Sequence, residues 1–123
     1  MIGVDSSFLI DLQRKNISQE SLEMTEVLAM SHLVFFECLS ATKTKKEEML
    51  ILDFEKHTTQ IPNCFESIKL ASYIFKELQK KGDEIGRFDC LIASAYLTNG
   101  VSKILTRNKK HFEKIPGITC IEY

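Results

Sequence analysis

The sequence predicts an α/β sandwich built on an open, mainly parallel sheet of four or five strands. Three observations lead there. Short apolar runs of strand length alternate with segments of helical periodicity. The strand candidates are mostly separated by helices, which implies parallel pairing through crossovers. No repeat and no Pro/Ser-rich linker divides the 123 residues, a length that suits one domain, 1–123.

Met1 to Val4 is a short apolar strand that runs into Asp5. Ser6 and Ser7 are good helix caps, and Phe8, Leu9, Ile10 and Leu12 continue as a helix. Ser18 to Thr25 reads as a second short helix carrying Leu22. Val27 to Met30 is the next strand, capped by Ser31. Leu33, Phe36 (or Glu37) and Leu39 then fall at helical spacing as far as Thr42. Thr44-Lys45-Lys46-Glu47 has the form of a capping box, and Met49 to Leu52 with Phe54 makes a helix that stops near His57. Gln60 to Pro62 is a very short strand, assigned to an edge or an end by its proline.

Ile68, Ala71, Phe75 and Leu78 define an amphipathic helix. Lys80, Lys81 and Gly82 close it, with cations in the last turn and glycine just past it. Phe88, Leu91, Ile92, Ala95 and Tyr96 define another helix, ended by Asn99-Gly100. Lys103 to Thr106 is a strand, Arg107 to Ile115 a loop with a helical turn, Pro116-Gly117 a turn, and Ile118 to Tyr123 the last strand.

Composition removes several classes. With 44% hydrophobic and 27% charged residues the chain is neither disordered nor low-complexity. No uninterrupted apolar run exceeds four residues, so neither a membrane span nor a signal peptide fits, and a cytoplasmic location is expected. Sixteen basic against seventeen acidic residues give a net charge of −1. The overall field is therefore wrong for coating nucleic acid, although a local basic rim remains open. The four cysteines, at 38, 64, 90 and 120, lack zinc-ribbon spacing and read as small buried hydrophobes of a reducing compartment. Asn16-Ile17-Ser18 matches a glycosylation sequon, which counts for little without a secretion signal.

Open parallel sheets bind ligands beyond the carboxyl ends of their strands. Asp5 stands there directly after the first strand, and Asn108 two residues after the strand Lys103 to Thr106. Glu37 lies in the second turn of the helix that follows the second strand. Asp89 lies in the first turn of a helix, off its apolar face. All four can converge on one edge. Facing carboxylates are costly unless a cation or protons neutralise them. An all-oxygen set selects Mg²⁺ or Mn²⁺ over zinc, and such an ion mostly serves phosphoryl chemistry.

The opening Met-Ile-Gly-Val-Asp5-Ser-Ser-Phe-Leu-Ile-Asp-Leu resembles the start of a PIN domain. So do Phe88-Asp89-Cys-Leu-Ile-Ala-Ser-Ala95, Lys103-Ile-Leu-Thr106-Arg-Asn108-Lys-Lys-His-Phe112 and the closing Pro-Gly-Ile-Thr-Cys-Ile-Glu-Tyr. Ser31-His-Leu-Val-Phe-Phe-Glu37 matches less closely but supplies an acid at the expected place. Glu37 follows Asp5 by 32 residues, Asp89 follows Glu37 by 52, and Asn108 follows Asp89 by 19. The resemblance spans essentially the whole chain.

That resemblance implies a three-layer α/β/α sandwich with a central parallel sheet. It further implies a Mg²⁺- or Mn²⁺-dependent ribonuclease, most like the small VapC-type toxins of toxin–antitoxin pairs. Such toxins act on RNA, often as homodimers, and a partner antitoxin inhibits them. The family's acidic site maps onto Asp5, Glu37 and Asp89, with Asp5 and Asp89 holding the ion and Glu37 as ligand or water-orienting base. Its fourth position, frequently Asp, is Asn108 here, which brings a carbonyl oxygen but no charge. Thr106 and Ser6 stand behind the ligands, and the cut leaves a 5′-phosphate and a 3′-hydroxyl.

Arg87, Arg107 and Lys109 are the candidates for holding substrate phosphates, ahead of Lys43, Lys45, Lys46 and Lys110. Phe112 and Tyr123 are further candidates for stacking on bases. Asp11, on the first helix, reads as a surface residue, and the three histidines as scattered. A receiver-like phosphoacceptor domain would need paired acids after the first strand, and Ser6-Ser7 follow Asp5 instead. A PIN-like domain of weakened activity, serving as a binding module, is the non-enzymatic alternative, and Asn108 is its support.

Overall fold

In the computed structural model, residues 1–14 and 26–123 are described. The helix expected over Ser18 to Thr25 and the sequon at Asn16 lie outside them. The elements run β1 (Ile2–Val4), α1 (Ser6–Gln13), β2 (Leu28–Ser31), α2 (His32–Ala41), α3 (Lys45–Lys56), β3 (Thr59–Ile61), α4 (Phe65–Lys80), α5 (Arg87–Thr98), β4 (Lys103–Leu105), α6 (Lys109–Phe112) and β5 (Thr119–Ile121). All four strand pairings are parallel, in the order β3-β2-β1-β4-β5. The sheet thus has the five strands and the parallel sense that the sequence predicts, with the proline-ended strand at an edge. Helices flank the sheet, as in the α/β/α arrangement that the resemblance implies. α1, α2 and α3 pack on one another, α4 packs chiefly on α5, and α2 also meets α5.

The order places a crevice. The chain moves outward from β1 to β2 to β3, then returns to the other side of β1 with β4. The sheet reverses direction between β1 and β4, where connections leave on opposite sides and a ligand can enter. Asp5 and Thr106 follow these two strands directly, in register through Val4 and Leu105.

Burial corrects two helix faces. On α2 the buried side chains are Val34 and Cys38, while Phe36 is 60% exposed. The expected stripe of Leu33, Phe36 and Leu39 is rotated because Val34 and Cys38 fill the space beside the sheet. α5 is buried nearly all round, at Cys90, Ile92, Ala93, Ser94, Ala95 and Tyr96. The capping box is half formed. Thr44 Oγ1 accepts from Glu47 N at 3.2 Å, but the Glu47 carboxylate accepts from Lys43 N at 2.7 Å instead of from the cap residue. Cys38 and Cys90 are buried as expected, but Cys64 is exposed. Among the described residues no helix is long and apolar enough to cross a membrane.

Gly3, in the central strand, is fixed by what lies over it. A Cβ built there would stand 2.8 Å from the ring of Tyr96, which α5 lays across the sheet. Overpacking of this kind costs about 1–3 kcal/mol. Gly3→Ala is therefore expected to lower the unfolding free energy by that order, read as a lower urea midpoint, and unchanged stability would show that the ring can retreat.

Candidate active site

Asp5 ends β1 and is only 2% exposed. It occupies the N-cap position of α1 without capping it by its side chain. The carboxylate instead accepts hydrogen bonds from three hydroxyls. Ser7 Oγ and Thr106 Oγ1 donate to Oδ2 at 2.9 and 2.8 Å, and Ser6 Oγ reaches Oδ1 at 3.5 Å. Ser6 and Ser7 thus lie inside the first turn, where their side chains turn back towards Asp5. Ser7 Oγ also accepts from Arg107 N at 3.1 Å, and Thr106 Oγ1 from Asn108 N at 2.8 Å. The chain after β4 is thereby laced to the chain after β1, and Asp5 is held between them.

Glu37 comes from α2, whose start is fixed when Ser31 Oγ accepts from Leu33 N at 3.1 Å. One of its oxygens, Oε1, is buried and has no hydrogen-bond partner among the described residues. Burial pushes Glu37 above the ordinary carboxylate range, and the charges of Asp5 and Asp89 push it further. Asp89 sits in the first turn of α5, where the helix dipole favours an anion. Burial raises its proton affinity and the Asp5 charge adds to that, while His111, with Nδ1 3.2 Å from Oδ2, pulls it back down.

Glu37 therefore feels the charges of Asp5 and Asp89, and Asp89 that of Asp5. Among the described residues, no Lys or Arg forms an ion pair with any of them. Nor is any group of three or more His, Cys, Asp or Glu side chains there already closed around one point. The donor set is all-oxygen, mutually repelling and one oxygen short of a partner. A hard dication fits such a set.

Thr106 is 1% exposed and binds Asp5 directly. Asn108 precedes α6 and makes no side-chain cap bond to it. The three candidate cations all have internal partners. Arg107 Nη1 lies 2.7 Å from Asp11 Oδ1, Lys109 Nζ lies 3.4 Å from Glu122, and the Arg87 guanidinium lies 5.0 Å over the Phe75 ring.

Asp11 is not a surface residue. It is 4% exposed, and its second oxygen accepts from the Tyr123 hydroxyl at 2.6 Å. A carboxylate can be buried on the first helix because an arginine and a phenol both reach it. Phe112 is fully buried and cannot stack on a base. Tyr123 packs edge-on against Phe8, with ring centroids 5.3 Å apart. Sequence reasoning missed Ser7 and His111, which touch Asp5 and Asp89. A hydroxyl two residues after Asp5 was the one signal available for Ser7.

A five-stranded parallel sheet in this order, flanked by helices and with Asp5 at the carboxyl end of its central strand, is the PIN-type fold. Within that class, the chain's similarity is to the VapC toxins. It is 28% identical over 125 residues to Ribonuclease VapC1 of Rickettsia felis, covering 96% of this chain and 92% of that protein. It is equally similar to Ribonuclease VapC of Rickettsia bellii, at 28% identity and the same coverage. Among solved structures, the crystal structure of VapBC2 from Rickettsia felis bound to a DNA fragment from its promoter matches with a TM-score of 0.82 at 25% identity, over 100% of this chain and 99% of the matched one. No family model matches the sequence.

The electrostatics give a signed expectation. Glu37 binds its proton more tightly in the fold than in the unfolded chain. The stability this contributes is complete below the ordinary carboxylate range and is lost as pH rises through the raised value. Glu37→Gln removes that loss. The variant is expected to melt above wild type at neutral pH, with the gap closing on acidification. A gap that persists unchanged into acid would contradict this.

Proposed function

We infer that the chain is an endoribonuclease that hydrolyses RNA phosphodiester bonds with the help of Mg²⁺ or Mn²⁺, and that it is the toxin of a toxin–antitoxin pair. The observation that carries the reading is the buried Glu37 Oε1 without a hydrogen-bond partner among the described residues, on an acid that feels the charges of Asp5 and Asp89 with no Lys or Arg paired to any of the three. A divalent ion bound there would polarise the scissile phosphate and lower the pKa of a water.

Asp5 and Asp89 would hold the ion. Glu37 would serve as a further ligand or take the proton of the attacking water, a role that its raised proton affinity suits. Ser6, Ser7 and Thr106 keep the Asp5 carboxylate in one orientation, so little reorganisation is needed when charge arrives. Asn108 offers a neutral carbonyl oxygen to water or substrate.

Arg87, Arg107 and Lys109 would hold flanking phosphates, and RNA would compete with their internal partners for them. The products would carry a 5′-phosphate and a 3′-hydroxyl. The binding-module alternative rests on Asn108 alone, since positions 5, 37 and 89 all carry acids.

Residues 1–123 would act as one domain in the cytoplasm, with an antitoxin as protein partner and a second copy in a homodimer. Two groups of exposed hydrophobic side chains support two such partners. One is Phe36, Met49, Leu50 and Leu52 on α2 and α3, and the other is Phe65, Ile68, Tyr73 and Phe88 on α4 and α5.

Asp5→Asn or Asp89→Asn is expected to lower Mn²⁺-dependent cleavage of RNA by about 100-fold or more while the protein stays folded. Millimolar Mn²⁺ should raise the Tm of wild type and not of these variants. Full activity in either variant would remove the assignment.

A further inference from the structure

Tyr96 is fully buried in the middle of α5, yet its hydroxyl reaches the sheet. It accepts from Ser31 N at 3.0 Å, donates to Val4 O at 2.5 Å, and lies 3.3 Å from Ala29 O. The register pairs Gly3 with Ala29 and Val4 with Met30, and Ile2 N donates to Val27 O. By the alternation of a parallel ladder, the rung at the carboxyl ends of the two strands joins Ser31 N–H and Val4 C=O. The phenol stands between those two groups and bridges them. The ring gets there because residue 3 is glycine, whose missing Cβ leaves room that the ring edge fills.

The three elements joined at this oxygen are the three that carry the acids. Val4 is followed by Asp5. Ser31 ends β2 and caps α2, which carries Glu37. Tyr96 itself lies two turns along α5 from Asp89. We propose that Tyr96 is a positioning residue of the nuclease site, setting through its hydroxyl the spacing of the strand ends behind Asp5 and Glu37. The hydroxyl ties Ser31 N and Val4 O to one atom at the carboxyl ends of the two strands. The same tie would fix the separation of the chain segments that lead on to Asp5 and Glu37. This rests on the reading of the acids as a metal site.

Tyr96→Phe keeps the ring and removes the oxygen. The expected result is a folded protein whose Mn²⁺ affinity, measured by calorimetry, falls about 10- to 100-fold, the range for groups that orient metal ligands. Cleavage of a short RNA should show a reduced kcat with little change in KM. The companion variant Gly3→Val/Tyr96→Ala exchanges large for small across the same contact. It should regain much of the thermal stability that Tyr96→Ala alone loses, without regaining Mn²⁺ affinity.

Wild-type Mn²⁺ affinity in Tyr96→Phe, or its recovery in the exchanged pair, would overturn the proposal. A Tyr96→Phe protein that fails to fold would also overturn it, by assigning the hydroxyl to stability. Wild type that binds no Mn²⁺ at all would remove the nuclease reading itself, a failure seen before any variant is measured.

Discussion

Three carboxylates held in sight of one another, partly out of water, are what the rest of this fold accommodates. Burial alone disfavours their charge, and each adds to the discomfort of the others. A protein tolerates such an arrangement only where rigid surroundings prevent the acids from swinging apart. Here those surroundings are backbone. Asp5 is the continuation of the central strand, Asp89 belongs to a helix buried nearly all round, and Glu37 is borne by a helix capped from the end of the neighbouring strand.

The hydroxyls complete the restraint. Neutral donors from Ser7 and Thr106 satisfy the Asp5 carboxylate without cancelling its charge. A lysine or arginine in their place would have relieved the repulsion and blocked the site. The cations are placed outside instead, where Arg107 meets Asp11 and Lys109 meets Glu122. Each of these cations is thus matched by an acid of its own, and neither is spent on Asp5, Glu37 or Asp89.

Much of this was legible in the residues. Strand positions and the parallel sense followed from short apolar runs divided by helical periods, and the sheet has them. Asp5, Glu37 and Asp89 stand out through the resemblance, and in the fold the charges of Asp5 and Asp89 both act on Glu37. Helix faces were less legible. Phe36 is as apolar as Phe35 beside it yet points outward, because the interior of α2 is chosen by its position against the core and not by side-chain hydrophobicity. Asp11 looked like surface because its partners, Arg107 and Tyr123, lie 96 and 112 residues away. The Tyr96 bridge was invisible for the same reason, since it joins residues 92 and 65 positions distant.

The fit between Gly3 and Tyr96 also has a historical side. Each residue restricts what the other can become, so descent through this pair must take its steps in sequence. A smaller side chain at 96 has to arise before any bulk is accepted at 3, and the reverse path crosses a steric collision. Lineages that made the first step would be free to rebuild the central strand with ordinary β-branched residues, but only after finding another way to join the ends of β1 and β2.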